Sequence, residues 1–219
     1  MQTATRPTVN YYTPRPYPPP AQIDPRFSHA HYLIRAKVFN VKLFGAVFHC
    51  YDTAGNLLFY TRQKAFKLRE DIRLYTGEDM RTELLTIQAR QILDFSAAYD
   101  VVDAQSGAKV GALRRRGWKS MLRDEWLVMD SEDREMGVIR EDDAGLAVVR
   151  RLIGLAAVFI PQRFVAEVGG QTAATFQQNA NPFGRKLLVD FSHDRDKRLD
   201  RRLGLGAAIL LAAIEGRQQ

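Results

Sequence analysis

The sequence predicts a mainly β protein, a closed sheet or sandwich of short antiparallel strands with one C-terminal helix that must be enclosed. Three observations carry this. Four pairs of apolar runs are joined by short turns built on Asp and Gly. Gly supplies positive φ without steric cost, and Asp bonds its own turn backbone. The C-terminal run Leu203–Ile214, LGLGAAILLAAI, is apolar on every face, so a helix there cannot lie on a surface. Seven of the nine prolines fall between Thr5 and Phe27, which leaves the rest of the chain free for regular structure.

Taken in order, residues 1–30 read as a Pro-rich tail, extended or disordered, because proline fixes φ and donates no hydrogen bond. Within it, Arg15-Pro16-Tyr17-Pro18-Pro19-Pro20 suits an aromatic-lined groove on a partner. Residues 31–219 form the folded domain, its β pattern setting in from about Ala36. Phe48–Tyr51 pairs with Leu57–Tyr60 across Asp52–Asn56, and Tyr99–Val102 with Lys109–Leu113 across Asp103–Gly107. Trp126–Met129 pairs with Met136–Ile139 across Asp130–Asp133, and Phe164–Val168 with Thr172–Phe176 across Gly169-Gly170. Val38–Phe44, Leu84–Gln88 and Lys186–Phe191 are further strands by composition. Ala144–Ala157 lacks alternation and reads as three or four helical turns, ended by Pro161. The last helix is expected over about 197–215, capped by Asp194 or Asp196. Its Gly204, Gly206 and alanines keep it thin enough for a confined space.

Composition narrows the function. The chain has 219 residues, 46% of them hydrophobic, with 32 Lys+Arg against 25 Asp+Glu. The net charge of +7 favours anionic partners. A single cysteine, Cys50, excludes an intrachain disulfide scaffold and suits a reducing cytoplasm. No apolar run reaches the roughly 20 residues of a spanning helix, so no transmembrane helix is expected.

The enclosed helix after about a dozen strands resembles the tubby-like fold of tubby C-terminal domains, LURP-one-related proteins and phospholipid scramblases. The stretches Leu84–Val101, LLTIQARQILDFSAAYDV, and Asp200–Glu215, DRRLGLGAAILLAAIE, are similar to bacterial LURP-one/scramblase-related sequences. The resemblance implies a closed antiparallel barrel of about 12 strands around the hydrophobic helix. Scramblases carry an acidic D-x-D-x-F-G stretch before the last strand that is thought to bind calcium. Here it is Asn179-Ala-Asn181-Pro-Phe183-Gly184, with both carboxylates replaced by amides. Neutral carbonyls give calcium far less than carboxylates do, so no calcium control is expected.

Candidate catalytic groups do not assemble. There is neither a nucleophile elbow nor a Walker motif. His49 and Cys50 are adjacent, so in a strand they face opposite ways and cannot act as a base and nucleophile pair. His29-x-His31 lacks further metal ligands at suitable spacing. No enzyme activity, cofactor or metal is expected. The basic runs carry the functional signal. Arg114-Arg115-Arg116-Gly117-Trp118-Lys119 follows a strand, and Arg150-Arg151 interrupts an apolar stretch. Guanidinium pairs with phosphate, and indole settles among lipid headgroups. Alternation puts Arg114 and Arg116 on one face with Arg115 opposed. The basic runs lack interleaved aromatics and no nucleic-acid module is recognisable, which disfavours nucleic acid. The expected activity is binding of anionic phospholipid through Arg114, Arg115, Arg116, Trp118, Lys119, Arg150 and Arg151. Such a protein would be cytoplasmic and peripheral at the inner membrane face. A protein-interaction module using the Pro-rich tail or a barrel face is the alternative. A third reading is lipid scrambling without calcium control.

Overall fold

The computed structural model describes residues 23–37, 46–63, 71–90, 98–116, 125–142, 162–179 and 185–215. Within them twelve antiparallel strands form a closed barrel around one helix. The strands are β1 (His31–Lys37), β2 (Ala46–Tyr51), β3 (Leu57–Gln63), β4 (Ile72–Tyr75), β5 (Glu83–Ala89) and β6 (Ala98–Asp103). They continue as β7 (Lys109–Arg115), β8 (Glu125–Met129), β9 (Glu135–Glu141), β10 (Gln162–Val168), β11 (Gln171–Gln178) and β12 (Arg185–Asp190). Each strand pairs with its chain neighbours, and β1 pairs with both β2 and β12, which closes the ring and leaves no free edge.

The four hairpins expected from the sequence are all present. Their turns follow the stated chemistry. Gly169 and Gly170, at φ +57 and +77, make the two-residue turn between β10 and β11. The Asp52, Asp103 and Asp130 carboxylates accept backbone N–H groups from the turns that follow them. Two strands escape the sequence reading. β1 begins at His31, five residues ahead of the expected onset at Ala36, and β4 is only four residues long. The candidates Val38–Phe44 and Ala144–Ala157 lie outside the described residues.

Alternation along the strands turns Tyr32, Ile34, Phe48, Cys50, Phe59, Ile87, Val101, Trp126, Phe164 and Phe176 into one apolar interior. The helix α1 (Arg201–Glu215) occupies that interior. Leu203, Leu205, Ile209, Leu210 and Leu211 are all buried in it. At about 1.5–3 kcal/mol per side chain, these five contribute on the order of 10 kcal/mol. That rivals the whole net stability of a domain, about 5–15 kcal/mol, so the helix is integral to the fold. The close fit depends on glycine. A Cβ on Gly204 would meet the Phe191 ring at 2.5 Å, and one on Gly206 would meet a Val101 methyl at 3.1 Å. This is the helix–barrel packing that the small residues imply.

The helix start differs from expectation. It lies at Arg201 rather than about 197, and Asp200 caps it by accepting the Arg202 N–H at 2.8 Å. Asp194 instead holds the preceding turn. Its fully buried carboxylate accepts the N–H groups of Arg198 (2.9 Å) and Leu199 (3.0 Å) and the Arg201 guanidinium (2.9 Å). Asp196 is exposed and pairs with Arg198 at 3.2 Å. The packed chain also starts ahead of residue 31. A 3-10 turn over Pro25–Ser28 places Phe27 in the core, stacked on Phe59 at 4.8 Å. No helix among the described residues is long and apolar enough to cross a membrane.

Candidate functional site

The basic run after β7 is split by strand alternation. Arg115 lies opposite the buried Trp126 and is half-buried on the inward side of the barrel wall. Arg114 lies opposite Leu127 and is exposed. Arg116 is exposed beyond the strand end, its backbone N–H bonded to the Glu125 carbonyl at 3.0 Å and its guanidinium to the Glu125 carboxylate at 2.7 Å. The expected facing of the three arginines is therefore observed. Trp118, Lys119, Arg150 and Arg151 lie outside the described residues.

Topology adds what spacing alone does not, the end of the barrel at which each connection sits. Strands alternate in direction, so the connections after β1, β3, β5, β7, β9 and β11 all leave from one end. Their sequences, over 38–45, 64–71, 90–97, 116–124, 142–161 and 179–184, hold ten Lys/Arg against six Asp/Glu. They also hold 23 Val, Ile, Leu, Met, Phe or Trp residues. The opposite end carries the tight turns 52–56, 76–82, 104–108, 130–134 and 169–170 and the approach to the helix, 191–200. These hold five Lys/Arg against nine Asp/Glu and only three such apolar residues, Met80, Phe191 and Leu199. By sequence, the connections at the loop end are thus the more basic and apolar, and the turns at the other end the more acidic and polar. In the chain, Arg116–Lys119 and Arg150-Arg151 fall within two of these connecting sequences.

The basic pair Arg201-Arg202 is committed internally. Arg201 reaches the buried Asp194 and lies 4.4 Å over the Phe191 ring. Arg202 bonds Asp200 at 2.6 Å and Asp103 at 3.0 Å. Burial pushes the Asp103 carboxyl up, but hydrogen bonds from Ser106 and the Arg202 guanidinium outweigh it and hold the group below its ordinary range. On the wall, Arg90 bonds Asp100 at 2.9 Å and also Asp133, which Lys109 approaches at 2.7 Å. These arginines lock the helix and the wall in place.

The residues weighed for catalysis and metal binding are dispersed. Cys50 faces the core, and burial pushes its thiol far up, which suppresses the reactive thiolate. His49, on the other face of β2, is buried between Tyr51 and Tyr60 and bonds Glu78 at 2.7 Å. His31 approaches Asp190 at 3.3 Å. Among the described residues, no group of three or more His, Cys, Asp or Glu side chains is placed to hold a metal ion. The side-chain oxygen of Asn179 is occupied by the Lys186 N–H at 2.8 Å, closing the β11–β12 connection. Asn181 lies outside the described residues.

No family model matches the chain, and no curated protein matches it. Among solved structures, the X-ray structure of a protein from Arabidopsis thaliana is similar, with 14% sequence identity and a TM-score of 0.48. The match covers 88% of this chain and 97% of that one.

Proposed function

We propose that this chain is a non-enzymatic barrel of the tubby-like, LURP-one-related kind that binds anionic phospholipid surfaces with its loop end, as a peripheral protein at the cytoplasmic face of a membrane. The observation that carries the reading is the composition of the sequences that connect the strands at the loop end. A surface that docks on anionic lipid needs cations for phosphate and apolar side chains for the headgroup boundary, at the same end of the molecule. The loop-end sequences bring both in excess, while the turns at the other end hold more acids than bases and few apolar residues. Arg114 and Arg116 are the outward cations at the β7 end. Trp118 and Lys119 follow in the chain, and Arg150 and Arg151 belong to the longest connection at that end.

Vesicle flotation tests the proposal, with phosphatidylcholine alone against phosphatidylcholine mixed with phosphatidylserine. Each basic residue near such a surface contributes about 1 kcal/mol, so replacing Arg114 and Arg116 with Ser costs about 2 kcal/mol, roughly thirtyfold in partitioning. Binding of the wild type weakens as salt screens the attraction over about 8–10 Å. Arg115→Ser, on the inward face, costs much less. A folded wild type that ignores anionic vesicles, or a double variant that binds them unchanged, overturns the lipid reading and favours the protein-interaction module. A dithionite flip assay in proteoliposomes separates surface binding from lipid scrambling.

A further inference from the structure

A cavity of about 510 Å³ opens at the turn end, between the 3-10 turn, β7, β9 and the start of α1. That volume falls in the range of small-ligand sites, about 300–1,000 Å³. Its body is apolar, formed by Ile23, Phe27, Val110, Met136, Leu199 and Leu203. Its polar groups divide by charge pairing. Three carboxylates line it, and each is already matched by an arginine: Asp24 by Arg26 at 2.9 Å, Asp130 by Arg134 at 2.7 Å and Asp200 by Arg202 at 2.6 Å. Two of the lining arginines are matched too, Arg201 by Asp194 and Arg198 by Asp196. Lys197 also lines the cavity, and among the described residues no ion pair takes its ammonium. It is held at φ +53, a left-handed backbone that a lysine adopts at a cost.

We propose that this cavity binds a small single-chain amphiphile with a carboxylate head, the chain among the apolar side chains and the head on Lys197. Lys197 is the one lining charge with no opposite partner among the described residues, which suits a monoanion. A lone lysine is a compact point charge with three donors, enough for a carboxylate. A phosphate dianion would leave one charge unmatched. The site lies at the end opposite Arg114 and Arg116, so it stays open to solvent when the loop end meets a surface. The inference does not rest on the lipid-surface reading.

Calorimetric titration of the full chain with decanoate, decanol and decylamine, each below its aggregation concentration, tests it. Decanoate is expected to bind saturably at one site per chain, at least tenfold tighter than decylamine. Lys197→Gly suits the left-handed backbone and preserves the fold, and decanol controls for the loss of the side-chain stem. The variant should weaken decanoate about tenfold and leave decanol unchanged. Met136→Trp, which narrows the cavity, should weaken binding of both, and Arg114→Ser should alter neither. The proposal is overturned if decanoate fails to saturate one site, if decylamine binds equally well, or if Lys197→Gly leaves decanoate affinity unchanged.

Discussion

Gly204 shows how one residue sets the fit of the helix. Replacing a helical glycine with alanine normally gains up to about 1 kcal/mol of propensity. At Gly204 the new methyl would sit 2.5 Å from the Phe191 ring, which is itself clamped beneath the Arg201 guanidinium. Overpacking of that kind costs about 1–3 kcal/mol and exceeds the gain. Gly204→Ala is therefore expected to lower stability by about 1–2 kcal/mol in urea denaturation. Gly206→Ala, where the nearest atom is a Val101 methyl at 3.1 Å, should be close to neutral. Equal effects at the two positions would show that propensity, not the ring, decides. The small residues of this run were legible as close packing because nothing else explains two glycines in an apolar helix. The opposed faces of His49 and Cys50 were legible from strand alternation alone. The cavity with Lys197 was not, since its walls come from four separate elements and its charge stands out only once the neighbouring pairs are known.

At the scale of elements, the sequence showed hairpins well and the seam of the barrel poorly. Hairpins announce themselves through turn chemistry. β1 has no such turn beside it and follows a proline-rich segment, so its own alternation, Tyr32, Ile34 and Ala36 inward, was masked by its context. β4 is too short for a period to register. The 3-10 turn was missed for the same reason as β1, since Pro25 looks like tail although its ring suits the first turn of a helix. The consequence is measurable. Phe27 is buried among Phe59 and the helix start, so Phe27→Ala should cost about 3–5 kcal/mol. Deleting residues 1–22 is expected to leave the melting temperature nearly unchanged, whereas deleting 1–30 should lower it sharply. Equal stability of the two truncations would return the domain boundary to residue 31.

For the whole molecule, the composition hid what topology reveals. A net charge of +7 spread over 219 residues names no surface. The connecting sequences, sorted by strand direction, divide into a basic, apolar-rich set and an acidic, polar set. The two ends of β6 make that polarity testable. Ala98 begins the strand at the loop end, opposite Arg114, and Gln105 is exposed in the turn that follows it. The burial that suppresses the Cys50 thiolate also lets an engineered surface cysteine be labelled selectively. An environment-sensitive dye on Ala98→Cys is expected to shift to the blue when anionic vesicles are added. The same dye on Gln105→Cys should report water throughout. High salt should reverse the first signal, because the approach is steered by charge. If both positions shift together, the barrel lies on its side and contact is made by the wall. If only Gln105→Cys shifts, the turn end is the membrane-facing one and the assignment of Arg114 and Arg116 falls with it.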